Sequence, residues 1–286
     1  MSKILQVASS WPGFSGLSYL VIFGDSYSSV GYDDAPRDCV STALQPLGVP
    51  FPGSTWNEPD LPNWVGHLVT KYFPRPRFIP AGVEQDAAYL ERPLLVYDYA
   101  KGGDTVTGVR RQIQSRFLPS VGQKPDWASW SSDNSLFITW IGINDCAYSR
   151  NHGTNVKMLF SLEEELYDAG ARNFLFIDVP PIHRSPAVPE HHEDSTTFDN
   201  FNNELDEAVS AFVARHPNIT VMLFSASATF NSFLDAPEAY GFRKQDCRRP
   251  GGRIWYDTLH PTSAVHDCVA KELAKFLGSV TKLQKE

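Results

Sequence analysis

The chain has 286 residues, of which 42% are hydrophobic and 20% charged. This composition supplies enough apolar material for a large core and excludes disordered and collagen-like sequences. A net charge of −8 leaves no basic surface to neutralise phosphates, so we expect no nucleic-acid partner. The longest apolar runs, such as residues 136–143, fall far short of the roughly twenty residues of a membrane helix, and we expect a soluble protein without a membrane span.

The first ten residues contain no apolar stretch of the length that a secretory signal needs. We therefore expect a cytoplasmic protein if the chain is full length, and a secreted one if it is a mature chain. The cysteines are widely spaced and form no CxxC pair, which argues against a zinc ribbon or a thioredoxin-like motif. One or two disulfides remain open among Cys39, Cys146, Cys247 and Cys268.

Short apolar runs alternate along the chain with segments of helical periodicity. In chain order the pattern predicts a strand at 18–23, a helix at 61–73, a strand at 94–99, a helix at 105–118, a strand at 136–143, a helix at 156–171, a strand at 173–179, a helix at 198–216, a strand at 219–224, and helices at 226–240 and 262–277. Such alternation is typical of an α/β fold with a parallel sheet covered by helices on both faces.

No internal repeat and no low-complexity linker divides the sequence, so we predict a single domain over residues 1–286. Three segments, 31–62, 122–133 and 180–195, are rich in Pro, Gly or Asp and show little periodicity. We interpret them as long loops, which in compact domains often bind ligands.

Glycines and polar residues follow the first three predicted strands. They form the motifs FGDSYS at 23–28, YAKGGDT at 99–105 and GIND at 142–145, and a fourth motif, DTLHP at 257–261, precedes the last helix. Because the carboxyl ends of parallel strands meet at one edge of the sheet, we expect these motifs to converge.

The residue types in these motifs are those of nucleophilic acyl transfer. A serine hydroxyl becomes reactive when an imidazole accepts its proton, and a carboxylate must hold that imidazole in the right tautomer. Ser26, His260 and Asp257 suit these roles. The oxyanion that develops needs fixed donors, for which the Ser26 and Gly103 N–H groups and the Asn144 amide are available. This is a candidate triad with a candidate oxyanion hole.

The four motifs, in this order, resemble those of the GDSL, or SGNH, hydrolase family, and residues 237–242 (PEAYGF) are similar to the family's segment upstream of the last motif. The resemblance implies a flavodoxin-like, three-layer αβα sandwich and ester hydrolysis with Ser26 as the nucleophile. It also implies that Gly103 and Asn144 are oxyanion donors, with Gly102 as a near rival. Asp25 and Asp145 are expected to accept loop N–H groups instead of acting as acids.

Within the family, the long insertions and residues 140–145 (WIGIND) most resemble the fungal acetyl esterases of carbohydrate esterase family sixteen. That resemblance implies removal of acetyl groups from short oligosaccharides, including xylan fragments, with no metal or other cofactor. The partner is then a small-molecule or oligosaccharide ester. Loops 31–38 and 180–194 carry no sustained aliphatic stripe, which also favours acetyl over long acyl chains.

Several alternatives stay open at this point. A lipase or lysophospholipase would act on longer acyl chains, and a non-catalytic carbohydrate-binding protein could retain the fold. A flavodoxin-like nucleotide binder is disfavoured because the sequence lacks both GxGxxG and P-loop motifs. Two further features each allow a structural and a functional interpretation. The loop that contains His183, His191, His192, Glu193 and Asp194 is either solvated or a metal site. Trp56, Trp64, Trp140 and Trp255 either pack in the core or stack on a sugar.

Overall fold

A computed structural model describes residues 1–33, 39–80, 84–192 and 194–283, and a six-stranded sheet runs through its centre. The strands are β1 (Lys3–Gln6), β2 (Tyr19–Gly24), β3 (Leu95–Asp98), β4 (Ser135–Trp140), β5 (Asn173–Ile177) and β6 (Thr220–Phe224). They lie in the order β1-β6-β5-β4-β2-β3. The strands β2 to β6 correspond to the five predicted ones. Residues 34–38 of the first predicted loop lie outside the described residues.

The five strands β2 to β6 are parallel, and β2 lies between β3 and β4 as the first strand does in a flavodoxin-like sheet. The prediction of a parallel sheet is wrong for β1, which pairs antiparallel with β6 at the edge. Residues 3–6 are only partly buried, so their sequence shows no apolar run. Because β1 precedes all the other strands, no crossover helix forces it to be parallel.

Helices cover both faces of the sheet, as predicted. They are α1 (Trp64–His67), α2 (Ala87–Glu91), α3 (Val106–Arg110), α4 (Ile143–Tyr148), α5 (His152–Asp168), α6 (Thr196–Arg215), α7 (Ala226–Asp235) and α8 (Ser263–Ser279). α5 packs against α3 and α6, whereas α8 packs against α1 and α7. The aliphatic and aromatic residues of β2, β4, β5 and β6 are buried between these two groups.

Several predicted boundaries differ from the observed ones. The helices α1 and α3 continue as π-helical turns over Leu68–Tyr72 and Arg111–Phe117. The helix predicted at 226–240 ends at Asp235, since Pro237 has no N–H to donate to the helix. The strand predicted to reach residue 143 ends at Trp140, and Ile143 begins α4.

Two findings concern the expectations about membrane spans and disulfides. No helix among the described residues is long and apolar enough to cross a bilayer. The four cysteines all lie in the described part of the chain, and none of them forms a disulfide.

A buried carboxyl group links α5 to the sheet. The Thr139 hydroxyl of β4 donates a hydrogen bond of 2.9 Å to Glu163, whose second carboxyl oxygen is buried without a partner. Burial raises the pKa of Glu163 to about 8, although the Thr139 bond opposes the shift. Because the folded-state pKa is raised, the stability that Glu163 contributes is fully present below its ordinary pKa and is lost as the pH rises through about 8.

Glu163→Gln should therefore remove part of the alkaline loss of stability. Glutamine keeps the acceptor for Thr139 and stays neutral at every pH. The difference in melting temperature between the variant and the native protein should be near zero at pH 5. At pH 9 the variant should melt roughly 3 °C or more above the native protein. The exposed Glu91→Gln is the matched control. An equal difference at both pH values would contradict this assignment.

Candidate active site

The turn that follows β2 presents Ser26. Gly24 closes the strand so near to β4 that any side chain on it would collide with the Trp140 carbonyl oxygen. Beyond it, the Asp25 carbonyl accepts the N–H groups of Ser28 and Ser29 at 3.1 and 3.0 Å. These contacts hold Ser26 at the carboxyl end of β2, where the order of the parallel strands reverses and where ligands bind in such sheets.

Ser26, His260 and Asp257 form one chain of hydrogen bonds, as the motifs predict. The Ser26 Oγ lies 3.0 Å from His260 Nε2, and His260 Nδ1 lies 2.7 Å from an Asp257 oxygen. A carboxylate beside Nδ1 favours the tautomer that carries its proton there, which leaves Nε2 free to accept the serine proton.

Backbone hydrogen bonds orient Asp257. Its other oxygen accepts the N–H groups of Leu259 and His260, each at 2.7 Å. Partial burial raises the pKa of Asp257, but these bonds and the imidazole together outweigh it, and the net pKa lies below its ordinary value. The carboxylate is thus fixed and ionised at neutral pH.

Three unpaired donors lie on the motifs that follow β2, β3 and β4. No described residue accepts a hydrogen bond from the N–H of Ser26 or of Gly103. Asn144, in the first turn of α4, donates one amide hydrogen to the Asp104 carbonyl at 2.9 Å, which fixes the side chain and leaves its second N–H without a described acceptor. Such groups suit an anion that develops during reaction.

The two candidate glycines of the second motif have different surroundings. Gly103 adopts φ +80°, and nothing lies within 4 Å of the position a Cβ would take. Gly102 lies directly under the Trp56 ring, which any side chain there would displace. A side chain at Gly103 would thus meet open space, whereas Gly102 makes room for an aromatic ring.

A buried amide that sequence analysis missed joins the first two motifs. Gln112 accepts the Gly24 N–H at 3.0 Å, and its Nε2 donates to the Gly24 carbonyl and to the Asp104 carboxylate, each at 2.8 Å. Gln112 interrupts the apolar stripe of α3 and its π-helical turn, where Val109 and Ile113 are buried. A polar residue within an apolar helical stripe is the signal by which the sequence could have indicated this buried hydrogen-bonding role.

The expected acceptor roles of Asp25 and Asp145 are confirmed. Asp25 accepts the Tyr27 N–H at 3.0 Å, and Asp145 accepts the Val106 N–H at 3.1 Å. Burial, opposed by these bonds, raises the pKa of Asp25 to about 7 and that of Asp145 to about 6.

The four tryptophans considered as sugar-stacking candidates, Trp56, Trp64, Trp140 and Trp255, divide into three core residues and one surface residue. Trp64, Trp140 and Trp255 are fully buried, so the sugar-stacking interpretation is wrong for these three and the core-packing interpretation is confirmed. The ring of Trp56 is 48% exposed and stacks on the His260 imidazole, with 5.2 Å between ring centroids and 30° between planes.

The histidine-rich loop at 183–194 supplies no metal site in its described part. No three His, Cys, Asp or Glu side chains of the described residues gather as metal ligands would. The Arg248 guanidinium instead binds the carbonyl groups of His183, Ser185 and Val188. Glu193 and the His192 side chain lie outside the described residues.

Two hollows flank the triad. One, of about 650 Å³, is bordered by Trp56, Tyr256 and Asp257. The other, of about 560 Å³, adjoins Asn144 and Leu259 and is lined largely by apolar side chains. Among the latter are Ile143, Ala147, Ile182, Val188 and Phe198. Loop 180–194 carries no aliphatic stripe, but its few aliphatic residues combine with those of α4 and α6 to form this apolar surface.

Comparisons with known proteins identify the family and the fold of this chain. The model of the GDSL-like lipase/acylhydrolase family matches residues 20–273. The chain is 32% identical to an acetylesterase of Thermothelomyces thermophilus, over 90% of this chain and 87% of that protein. It is 24% identical to the thermolabile hemolysin of Vibrio parahaemolyticus, over 81% of this chain and 61% of that protein. Axe2, an acetylxylan esterase of Geobacillus stearothermophilus, has a similar fold at 16% identity, with a TM-score of 0.56 and coverage of 94% and 97%.

Asp257→Asn should nearly abolish ester hydrolysis. The amide would donate to His260 Nδ1 and favour the tautomer whose Nε2 cannot accept the serine proton. We expect kcat, measured on an aryl acetate, to fall by up to about ten thousandfold. The same change has an effect of this size in serine proteases. Asp206→Asn, which breaks only a surface ion pair with Lys3, is the control. A loss of less than tenfold would contradict the assignment.

Asn144→Ala should lower kcat with little change in KM, because the amide meets a charge that exists mainly in the transition state. The expected loss is roughly a hundred to a thousandfold. Asn155→Ala removes another amide, which donates to Asp145 at 2.9 Å, and should keep kcat within a few-fold of the native value. If Asn144→Ala changed KM alone, Asn144 would be a substrate-binding residue instead.

Proposed function

Since the chain belongs to the GDSL-like lipase/acylhydrolase family and is a carboxylic ester hydrolase, we propose that it removes short acyl groups, acetyl above all, from oligosaccharides through an acyl-enzyme on Ser26. The observation that carries this proposal is the position of His260, whose two nitrogens contact Ser26 and Asp257. An imidazole bonded in this way can accept a proton from one partner while the other stabilises its charge.

The proposed reaction has two halves. In the first, Ser26 Oγ attacks the ester carbonyl carbon while its proton moves to His260 Nε2, and the carbonyl oxygen becomes an anion bound by the donors of Ser26, Gly103 and Asn144. The bond to the alkoxy oxygen then breaks, and the proton passes from Nε2 to that oxygen. In the second half, water loses a proton to His260, attacks the acyl-enzyme and releases the acid. Every step uses groups of the chain and water.

The choice of an acetylated carbohydrate rests on the relatives. A fungal acetylesterase resembles this chain over most of its length, and similar folds include acetylxylan esterases. The chain's own contribution is a polar surface with exposed aromatic rings beside His260. Aromatic faces next to hydroxyl and carboxylate groups suit hydroxyl-rich ligands.

A second candidate function is hydrolysis of longer acyl esters, and one observation favours it. The apolar hollow of about 560 Å³ begins at Asn144, where the carbonyl of a bound ester would lie. Each methylene group buried there would stabilise a bound acyl chain by about 0.8 kcal/mol. The length of the preferred acyl chain therefore decides between the two candidates.

Ser26→Ala should lower hydrolysis of an aryl acetate by several orders of magnitude in a folded protein. An organophosphate should label Ser26 in the native chain, as fragmentation of the modified peptide would show. Ser28 and Ser29 are internal controls, because their hydroxyls accept hydrogen bonds from the Trp64 indole N–H and the Gly31 N–H, whereas the Ser26 hydroxyl lies against the His260 imidazole. Retention of half the activity in Ser26→Ala would exclude the proposed nucleophile.

The preference for acetyl is tested by kcat/KM for p-nitrophenyl acetate, butyrate, octanoate and palmitate. We expect the maximum at acetate, with values falling along the series. Ala147→Leu, which narrows the apolar hollow, should reduce the rate on octanoate more than the rate on acetate. A maximum at octanoate or beyond would establish the second candidate and leave the triad assignment intact.

A further inference from the structure

The hollow beside Asp257 resembles a ligand-binding subsite, and the reaction steps described above assign it no role. It measures about 650 Å³ and lies between the loop segment 49–60 and residues Tyr256 and Asp257. The Asp257 side chain is 46% exposed. A ligand in this hollow would therefore lie against the carboxylate that orients His260.

Trp56 connects this hollow to the reacting atoms. One face of its ring stacks on His260, and its edge lies over Gly102, yet nearly half of the side chain is exposed. Trp56 thus contacts the general base and the backbone next to the donor Gly103 while it borders the hollow. Tyr27 also lies near the imidazole, but its ring is buried and tilted, whereas Trp56 is exposed and stacked.

The chemistry of the reaction decides which half of the ester lies here. When the bond between the carbonyl carbon and the alkoxy oxygen breaks, the proton on His260 Nε2 must pass to that oxygen. The departing alcohol must therefore lie beside the imidazole, next to Trp56. The acyl half, on the other side of the carbonyl carbon, lies toward Asn144 and the apolar hollow.

The lining of the first hollow matches a sugar. Tyr256 adds a second aromatic ring that is 39% exposed, and the exposed side chains of Ser54 and Asp60 add a hydroxyl and a carboxylate. The C–H groups of a pyranose ring pack on aromatic faces while its hydroxyls bond to such oxygens. Resting on the proposed function, we infer that the hollow between Trp56 and Tyr256 binds the sugar ring that leaves in the first half of the reaction.

The loop that carries Trp56 is held in place before any ligand binds. The Asn57 amide and the Thr55 hydroxyl both donate to the Leu61 carbonyl, at 2.9 and 3.1 Å. The Glu58 carboxylate accepts the Ser263 N–H of α8 at 2.7 Å. A preformed surface of this kind orders few groups on binding, which favours affinity for a small polar ligand.

The experiment compares two acetyl esters that differ only in the alcohol. Acetylated xylotriose fills the hollow, whereas the methyl group of methyl acetate cannot reach it. In Trp56→Ala and in Tyr256→Ala, the ratio of kcat/KM for the sugar ester to that for methyl acetate should fall about tenfold. Trp127→Ala, which removes an indole of similar exposure (41%) that packs on Tyr97, should leave the ratio unchanged.

A binding measurement separates recognition from catalysis. Acetylated xylotriose should bind Ser26→Ala by calorimetry, and adding Trp56→Ala should weaken its Kd about tenfold, with partial rescue by Trp56→Phe. Unchanged ratios in both Trp56→Ala and Tyr256→Ala would overturn the subsite while leaving the proposed function intact. If the native protein hydrolyses methyl acetate but not acetylated xylotriose, the carbohydrate part of the proposed function fails and the subsite with it.

Discussion

The hydrogen bonds between Gln112 and Gly24 fix the point on which the site depends. Both backbone groups of the last residue of β2 bind one side-chain amide, which also binds Asp104 in the second motif. Gly24 also pairs with Trp140 of β4 so closely that no side chain would fit between them. The motifs that carry Ser26 and Gly103, the proposed nucleophile and a proposed donor, are thereby joined, and fixed geometry is what acyl transfer requires.

This arrangement gathers acidic groups around Ser26, the proposed nucleophile, at a cost in stability. The pKa of buried Asp25 rises to about 7 because of burial and, to a smaller extent, because Asp145 and Asp104 are near. Asp104 is paired with Arg111, which also binds the buried Asp33. Side chains that hold loop N–H groups beside a reaction centre must stay polar where an apolar residue would pack better. Local conflicts with core packing of this kind are expected at functional sites.

The sequence was informative where one local signal decided the outcome. Buried parallel strands are continuous apolar runs, so β2 to β6 could be predicted, and the motifs pointed to Ser26, Asp257 and His260, which the structure joins by hydrogen bonds. The strand β1 is short and half-exposed at the sheet edge, and no periodicity marks it. The burial of Trp255 and the formation of the apolar hollow depend on segments that are distant in sequence, which is information that periodicity does not contain.

The two hollows differ in polarity in the same sense as the two halves of the proposed substrate. An ester divides at its carbonyl carbon, which must lie between Ser26 Oγ and the donors of Gly103 and Asn144. The side toward His260 and Trp56 offers aromatic faces and oxygens, and the side toward Asn144 offers aliphatic surface. An acetyl group would fill only a small part of the apolar side, so under the proposed function this side would discriminate weakly between short acyl chains. Selectivity for the alcohol would instead depend on direct contacts, which in the proposed mechanism act on the group that His260 protonates.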